Sequence, residues 1–321
     1  MSKHDYAGTG WLINRAINTV EGVTSTHIRG DTPKNRYGYT SGLQLSRKHQ
    51  LPENGAAQAA IDRADVIHLK GDDSPLDEWW LPLTVPKDRP KVITVSGSHF
   101  RRQAYSRSLV PSICLGNIPL PVYKEHTAAR AALTPDLNYP DLEGSWVPAP
   151  IDVGGVDPCW AHPGSGEIVI GHSPSSRQKK GTNTVLIPAV DRLRKMGHNV
   201  RIEMIEKVPH SECVKIKRRL TLFWGQCGMG SYGNSSLEAM QFGIPTMCWI
   251  SPEAKEWSGG MLDDCPVVSF EPSADGCADA ILGLLDMDLE RLSRETREWT
   301  ERTHGLESVG RRYHQIYRSV L

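Results

Sequence analysis

The stretch GSYGNSSLEAMQFGIP, residues 230–245, begins with glycines and small polar residues and ends in a glycine, an isoleucine and a proline. Ser235 and Glu238 have the spacing of a capping box, in which the serine side chain binds a free amide of the first helical turn and the glutamate binds the serine amide. Gly243 suits the left-handed position after a helix, and Pro245 prevents the helix from continuing. The stretch therefore predicts a glycine-bearing loop followed by a short helix.

A loop of this kind exposes backbone N–H groups beside the positive end of the helix dipole, which is a setting that suits phosphate. Glu238 adds a carboxylate to the first turn of the predicted helix. The alternative interpretation is a capped helix that binds nothing.

Short apolar runs alternate with loops and amphipathic helix patterns along the chain. Buried parallel strands are predicted at 64–71, 91–98, 167–173, 200–206, 220–226 and 246–250. A helix is predicted over 182–197, in which Pro188 implies a kink or a late start. Strands separated by helices of this length predict βαβ units, a parallel sheet and helices on both faces. Because ligands of such sheets bind at the carboxyl ends of the strands, chemistry is expected in the loops after residues 171, 206 and 226.

The composition indicates a two-domain protein without an overall charge. The chain has 321 residues, more than one hydrophobic core usually covers, and a Pro- and Gly-rich stretch at 144–166 is typical of an interdomain linker. Lys+Arg and Asp+Glu both number 37, which argues against binding nucleic acid or anionic membranes by net charge but allows a local basic patch. The seven cysteines form no C-x-x-C pair, and no apolar run approaches the length of about 18 residues that spans a membrane. These features predict a soluble, cytoplasmic protein, and two charged helices are expected at its end, over 286–303 and 305–321.

Two of the expected loops carry candidate binding residues. The first, GHSPSSRQKKG (171–181), contains Arg177 and Lys180, whose charges can neutralise a diphosphate. The alternative for this loop is a solvated basic segment. The second, EKVPHS (206–211), contains His210, which either borders a base pocket or is an exposed turn residue. With the stretch at 230–245, these loops supply cations and N–H groups for phosphates and a carboxylate for two ribose hydroxyls, and so predict a nucleoside diphosphate site.

The second half of the chain resembles the nucleotide-sugar-binding domain of retaining glycosyltransferases with the GT-B fold, the "glycosyl transferases group 1" family. The motifs that carry the resemblance are HSPSSRQKKGT (172–182), IEKVPHSE (205–212), FWGQCGMGSYGNSSLEAMQFGIP (223–245) and RRYHQIY (311–317). A looser likeness in the first half rests on AGTG (7–10), ADVIHL (64–69), GSHFR (97–101) and LTPDL (133–137). In its compact size the chain is similar to phage-like members of the family.

The resemblance implies an α/β, GT-B-like fold of two Rossmann-like parallel-sheet domains facing a cleft. The implied domains are an acceptor-side domain over 1–150, a donor-binding domain over 151–304, and a terminal helix over 305–321 that crosses back to the first domain.

The resemblance also implies roles for individual residues. Arg177 and Lys180 would bind the donor diphosphate and, with His99, take part in catalysis. Backbone amides from Tyr232 to Ser235 would bind phosphate, and Glu238 would hold the ribose. The full set of implied donor-binding residues is Ser173, Arg177, Lys180, Gly181, Gly230, Tyr232, Gly233, Asn234, Ser235 and Glu238. On the acceptor side the implied residues are Gly8, Gly10, His99 and Arg101.

The sequence departs from the family pattern at several positions. Gly230 stands where the family usually has a second glutamate, which contacts the transferred sugar. Leu220-Thr221 replaces a frequent Ala-Asp pair, and His99 replaces a frequent aspartate. The glycine loop at 7–10 leaves few residues before it for the usual first strand, so either the start is truncated or the sheet is shorter.

The implied activity is hexosyl transfer from a nucleoside-diphosphate sugar, with a UDP-sugar favoured, to an acceptor hydroxyl, with retention of configuration and without a metal or other cofactor. The alternatives are a nucleotide-sugar epimerase of the same fold and an inactive binding protein, the latter suggested by Gly230. The acceptor is a saccharide, a small molecule or modified DNA. Arginines interleaved with aromatic residues in SGSHFRRQAYSRS (96–108) are compatible with a nucleic acid, although a solvated helix face is the favoured interpretation.

Overall fold

The computed structural model of the chain describes residues 1, 8–30, 42–44, 52–71, 83–97, 120–160 and 166–321. The predicted site residues His99 and Arg101 lie outside this part of the chain, as does most of the arginine-rich stretch at 96–108. The chain divides into two compact units, the first made of Met1–Pro150 with Leu306–Leu321 and the second of Ile151–Gly305.

The first unit is built on parallel strands. Its strands are β1 (Ile28–Arg29), β2 (Leu43–Gln44), β3 (Ile67–Lys70), β4 (Lys91–Val95), β5 (Ala129–Ala132) and β6 (Ser145–Trp146). Its first helices are α1 (Thr9–Ile17), α2 (Pro52–Arg63) and α3 (Leu120–His126), and short 3-10 turns occupy Pro135–Leu137 and Pro140–Leu142. Strands β3 to β6 pair in chain order, and β1 pairs with β2. Every residue of β4 is buried, as expected for a parallel strand covered on both faces.

The linker predicted at 144–166 is wrong for its first residues, which belong to the first sheet. Ser145–Trp146 forms β6 and pairs with β5, and both Trp146 and Val147 are buried. Val153, farther along, is buried in the second unit. Within the described part of this stretch, Gly154 and Gly155 lie in a turn, and Ser145–Trp146 before them forms a strand.

The second unit has its own parallel sheet. Its strands are β7 (Ile168–His172), β8 (Val200–Met204), β9 (Leu222–Trp224) and β10 (Thr246–Met247). Its helices are α4 (Arg177–Lys180), α5 (Ile187–Lys195), α6 (His210–Lys217), α7 (Asn234–Met240), α8 (Pro252–Trp257), α9 (Ala274–Leu285) and α10 (Leu289–His304). The strand order is β10-β9-β7-β8, so the chain moves outward from β7 to β8 and then returns to the other side of β7. Such a reversal of strand order opens a crevice at the carboxyl ends of the central strands.

Pro188 left open a kink or a late start in the helix predicted over 182–197, and the α-helix does start late. A π-helical turn occupies Thr182–Leu186, and α5 starts at Ile187 with Pro188 in its first turn. A proline is tolerated there because the first amides of a helix have no intrahelical partner. Leu186, Val190 and other apolar residues of this segment lie in the core formed with β7, β9 and α9.

The last helix, α11 (Leu306–Val320), belongs to the first unit and packs against α1. At Gly310 the two helices approach so closely that a Cβ atom would overlap the carbonyl oxygen of Ala16. The buried hydroxyl of Tyr313 lies 2.9 Å from Oγ1 of Thr94 in β4. The terminal helix is thus part of the core of the first unit.

Within the described residues, no helix combines the length and the apolar character needed to cross a membrane. In the same residues no three His, Cys, Asp or Glu side chains are grouped so that they could hold a metal ion.

Candidate functional site

Three loops meet at the carboxyl ends of the strands of the second sheet. They are 173–181 after β7, 205–209 after β8 and 225–233 after β9. Loops 173–181 and 225–233 touch directly, because a Cβ atom on Gly228 would overlap the carbonyl oxygen of Lys179. The loops expected from the sequence to hold the site are therefore adjacent in the structure.

Loop 173–181 contains a short helix whose end is fixed by packing. Ser176 caps α4 by accepting a hydrogen bond from the amide of Lys179. Gly181 then adopts the left-handed conformation, with φ at 82°. A Cβ atom on Gly181 would overlap Sγ of Cys227, and the carbonyl oxygen of Lys180 accepts a hydrogen bond from the Cys227 amide at 3.1 Å. Lys180 is thereby held at the junction of the two loops.

Arg177 forms an ion pair that the sequence did not predict. Its Nε lies 3.0 Å and its Nη2 2.5 Å from the carboxylate of Glu206 in the loop after β8. The hydrogen bonds from Arg177 hold the pKa of the Glu206 carboxyl below its usual value. The Arg177 side chain remains 45% exposed. The Arg177 side chain is therefore held at the edge of the site by Glu206 and is still accessible to solvent.

Loop 225–233, called the glycine loop from here on, is organised by Gln226. Gln226 was not among the residues predicted from the sequence. Its amide oxygen accepts hydrogen bonds from the backbone N–H groups of Gly228, at 3.0 Å, and Met229, at 2.7 Å. Its amide nitrogen donates to the carbonyl oxygen of Ser231. Gln226 is only 1% exposed, so it acts as the buried frame around which the loop turns. A polar residue two positions after a buried strand was the sequence signal for this role.

The capping box predicted from Ser235 and Glu238 is wrong. Helix α7 begins at Asn234, and its N-cap is Gly233, which makes no side-chain cap. Ser235 therefore lies inside the helix, where its hydroxyl accepts a hydrogen bond from Nζ of Lys217 at 2.9 Å. Because α7 starts at Asn234, Ser235 cannot be its N-cap. Lys217, from α6, binds both Ser235 and Glu238 instead.

Glu238 lies between two side chains of α6. Its Oε2 is 2.5 Å from Nζ of Lys217, and its Oε1 is 3.2 Å from Nε2 of His210. Burial by itself would raise the pKa of the Glu238 carboxyl, but the charge of Lys217 and the hydrogen bonds from both partners lower it to about 2. Glu238 is therefore ionised at neutral pH, with 15% of its side chain still exposed. His210, for which the sequence left a base pocket and an exposed turn open, is half-buried against this carboxylate.

Several of the other predicted donor residues are engaged in contacts within the protein. Tyr232 is 2% exposed, and its hydroxyl lies 3.0 Å from Nε2 of His304. Gly230 has φ at 68°, a conformation in which a glutamate would be strained, and its carbonyl oxygen accepts from the amide of Ser251. The half-buried Ser173 lies beside Cys213, with Oγ and Sγ 4.0 Å apart. The left-handed backbone gives a physical reason for a glycine at position 230.

The predicted acceptor-side glycines belong to the first unit. Gly8 precedes α1 in the left-handed conformation, with φ at 64°, and its carbonyl oxygen accepts from the amide of Leu12. Gly10 is buried in the first turn of α1. His99 and Arg101 lie outside the described residues, so no contact is assigned to them.

His172, at the end of β7, fixes the strand to its neighbours. Nδ1 lies 2.9 Å from the carbonyl oxygen of Trp224, so it donates there, and Nε2 accepts from the hydroxyl of Thr182 at 2.8 Å. Burial lowers the pKa of His172 to about 4. The hydrogen bond to the Trp224 carbonyl opposes this shift, and the positive charge of Lys180 adds to it. The ring is therefore neutral at neutral pH.

This burial predicts an acid-sensitive fold. Between pH 6.5 and 4 the unfolded chain binds a proton at this histidine and the folded chain does not, so stability falls as the pH is lowered through this window. Lowering the pH from 7 to 5 should reduce the free energy of unfolding by about 2 kcal/mol through His172. Urea unfolding at the two pH values measures this loss, and His172→Gln should show a loss smaller by the same amount. An equal loss in both proteins would contradict the assignment. His68, whose pKa burial lowers to about 3, acts in the same direction in the first unit.

No protein-family model and no curated protein sequence matches this chain. Solved structures do match it. Sucrose-phosphate synthase from Thermosynechococcus elongatus shares 14% identity with a TM-score of 0.60, over 96% of this chain and 91% of that one. A glycosyltransferase from Rickettsia africae ESF-5 shares 12% identity with a TM-score of 0.62, over 99% and 97%. An alpha-glucosyltransferase in complex with UDP and a 13-mer DNA shares 11% identity with a TM-score of 0.63, over 99% and 98%. Likeness at such identities shows the fold, and it confirms the predicted GT-B-like fold with two parallel-sheet α/β units.

Proposed function

We propose that this protein transfers a hexose from a nucleoside-diphosphate sugar, with a UDP-sugar favoured, to an acceptor hydroxyl. The observation that carries the proposal is Glu238, an ionised carboxylate in α7 directly after the glycine loop and beside the crevice of the second sheet. An ionised carboxylate accepts hydrogen bonds from two neighbouring hydroxyls, which is the device that dinucleotide-binding folds use on ribose. The fold shared with glycosyltransferases, one of them solved with UDP, supports the same assignment.

The remaining parts of the site are assigned to the diphosphate. Arg177 and Lys180 stabilise the negative charge that develops on the leaving diphosphate, and the amides from Tyr232 to Ser235 bind its oxygens. Arg177 does so by exchanging part of its ion pair with Glu206 for phosphate. With two cations in this place we propose a reaction that needs no metal. Retention of the anomeric configuration is proposed from the sequence resemblance to retaining glycosyltransferases alone.

The acceptor class is the open part of the proposal, and the acceptor panel therefore includes saccharides, small hydroxyl compounds and duplex DNA. DNA is included because one neighbouring structure is a DNA complex. The zero net charge of this chain favours an uncharged acceptor.

The proposal is tested by calorimetric titration of UDP, GDP and ADP into the wild type, Glu238→Gln and the control Glu212→Gln. Glu212 lies on α6 with its side chain 45% exposed and its carboxylate 3.6 Å from Nζ of Lys215. One nucleotide family should bind the wild type, and Glu238→Gln should weaken that binding about tenfold or more because a charge-assisted contact to the ribose is lost. Glu212→Gln should bind like the wild type.

Two results would contradict the proposal. The first is a wild type that binds none of the three nucleotides. The second is a folded Glu238→Gln, with a wild-type circular dichroism spectrum, whose affinity equals that of Glu212→Gln.

A further inference from the structure

The ammonium group of Lys217 is enclosed by the residues of the donor site. Its side chain is 0% exposed, and it lies on α6, four residues after the buried Cys213 on the same helix face. Nζ donates to the backbone carbonyl of Ser235 at 3.0 Å, to the hydroxyl of Ser235 at 2.9 Å and to Oε2 of Glu238 at 2.5 Å. The ring of Phe223 lies 5.2 Å from Nζ. All three protons of the ammonium group are therefore directed to α7.

Stability alone gives no reason for this arrangement. Removing two charges from water is costly, and a well-packed apolar pair often stabilises a protein as well as a buried ion pair does. The pair is formed at the carboxylate that we assign to the ribose, and it connects α6 to α7, the helix that follows the glycine loop. This position indicates a role in the binding of the donor.

We infer that Lys217 is a positioning residue, which fixes the carboxylate of Glu238 in the orientation that accepts the two ribose hydroxyls of the donor. The inference rests on the proposed function. The two oxygens of a carboxylate provide about four acceptor positions. Contacts from Lys217 and His210 within the described chain use two of them, so two positions serve the hydroxyls. The exposed fraction of Glu238 gives these positions access to a ligand.

Lys217 also keeps Glu238 ionised. The titratable groups that face the carboxylate are Lys217, His210 and Cys213, all from α6, and burial raises the pKa of the Cys213 thiol, so it stays neutral. Without the charge of Lys217, burial would dominate and raise the pKa of Glu238. A protonated Glu238 offers fewer acceptor positions to the ribose. Nucleotide affinity should then depend on pH, which a purely structural role of Lys217 would not produce.

The test uses calorimetric titration of UDP, GDP or ADP, whichever binds the wild type, from pH 5.5 to 8.5 into the full-length chain. Lys217→Met removes the charge, and Lys217→Gln removes it while keeping a donor for Ser235. Lys217→Arg keeps the charge. In the Met and Gln variants the Kd should rise as the pH falls, by up to about tenfold per pH unit below the raised pKa of Glu238. The wild type and Lys217→Arg should show parallel profiles without this rise.

The outcomes separate the inference from the function on which it rests. A wild type that binds none of the nucleotides overturns the proposed function and this inference together. A wild type that binds, with Lys217→Gln matching its affinity and pH profile, overturns only the inference. Should Lys217→Met fail to fold, Lys217→Gln gives the same decision, because it preserves a hydrogen bond to α7 without the charge.

Discussion

Replacing Gly181 by alanine should destabilise the protein by about 4 kcal/mol, as the sum of a left-handed backbone and an overpacked contact. Gly181 has φ at 82°, which disfavours any residue with a Cβ atom. That atom would also overlap Sγ of Cys227, in the core under the glycine loop. The free energy of unfolding in urea measures the total loss.

A matched control separates the two causes. Gly197 has φ at 94°, but no atom lies within 4 Å of the place where its Cβ atom would be. Gly197→Ala should therefore cost only about 1–2 kcal/mol, the part due to the backbone. In Gly181→Ala with Cys227→Ala the overlap is relieved, because Cβ of Cys227 is 3.8 Å from the new atom. This double variant should be more stable than the sum of the single effects predicts. Equal costs at Gly181 and Gly197 would show that the overlap has no energetic consequence.

The second large effect is expected at Gln226. Gln226→Leu leaves the amides of Gly228 and Met229 and the carbonyl of Ser231 without their shared partner. Unmade hydrogen bonds at buried groups cost about 1–3 kcal/mol each, so a total loss of about 3 kcal/mol is expected after water satisfies the more exposed amides. Since the loop would no longer be held in one conformation, nucleotide affinity should also fall about tenfold or more.

Two further variants sharpen this test. Gln315→Leu makes the same substitution on an exposed position of α11 and should change neither stability nor binding. Gln226→Glu keeps an acceptor for both amides but buries a carboxylate against the carbonyl oxygen of Ser231, so it should destabilise the protein at least as much as Gln226→Leu. Urea unfolding and calorimetric nucleotide titration provide both readouts. If Gln226→Leu behaved like Gln315→Leu, the loop would not depend on Gln226 for its order.

The sequence predicted the elements of the second unit well because their signals are local. The apolar runs at β7, β8 and β9, the late start of α5 at Ile187 and the short helix before Gly243 each depend on residues within a few positions of one another. The linker at 144–166 was partly wrong for the complementary reason. Its composition favours turns, but the pairing of β6 with β5 is decided by a neighbouring strand.

The sequence also predicted correctly that the loops after β7, β8 and β9 lie together, since the carboxyl ends of parallel strands meet at one edge of a sheet. It did not predict the partners of the charged residues. The capping box assigned Glu238 to a residue three positions away, whereas its partners in the structure are 21 and 28 positions away along the chain. Arg177 is likewise bound to Glu206, 29 positions away.

The sequence by itself therefore determined the alternation of strands and helices, the glycine loop before a carboxylate, and the GT-B-like fold that these elements form. Only the tertiary structure decided which groups are ionised, which are held and which reach solvent at the site. The physical reason is that periodicity, turns and helix ends depend on neighbours in the chain. Burial and ion pairing at Lys217 and Glu238 depend instead on side chains from different elements that the parallel sheet brings together.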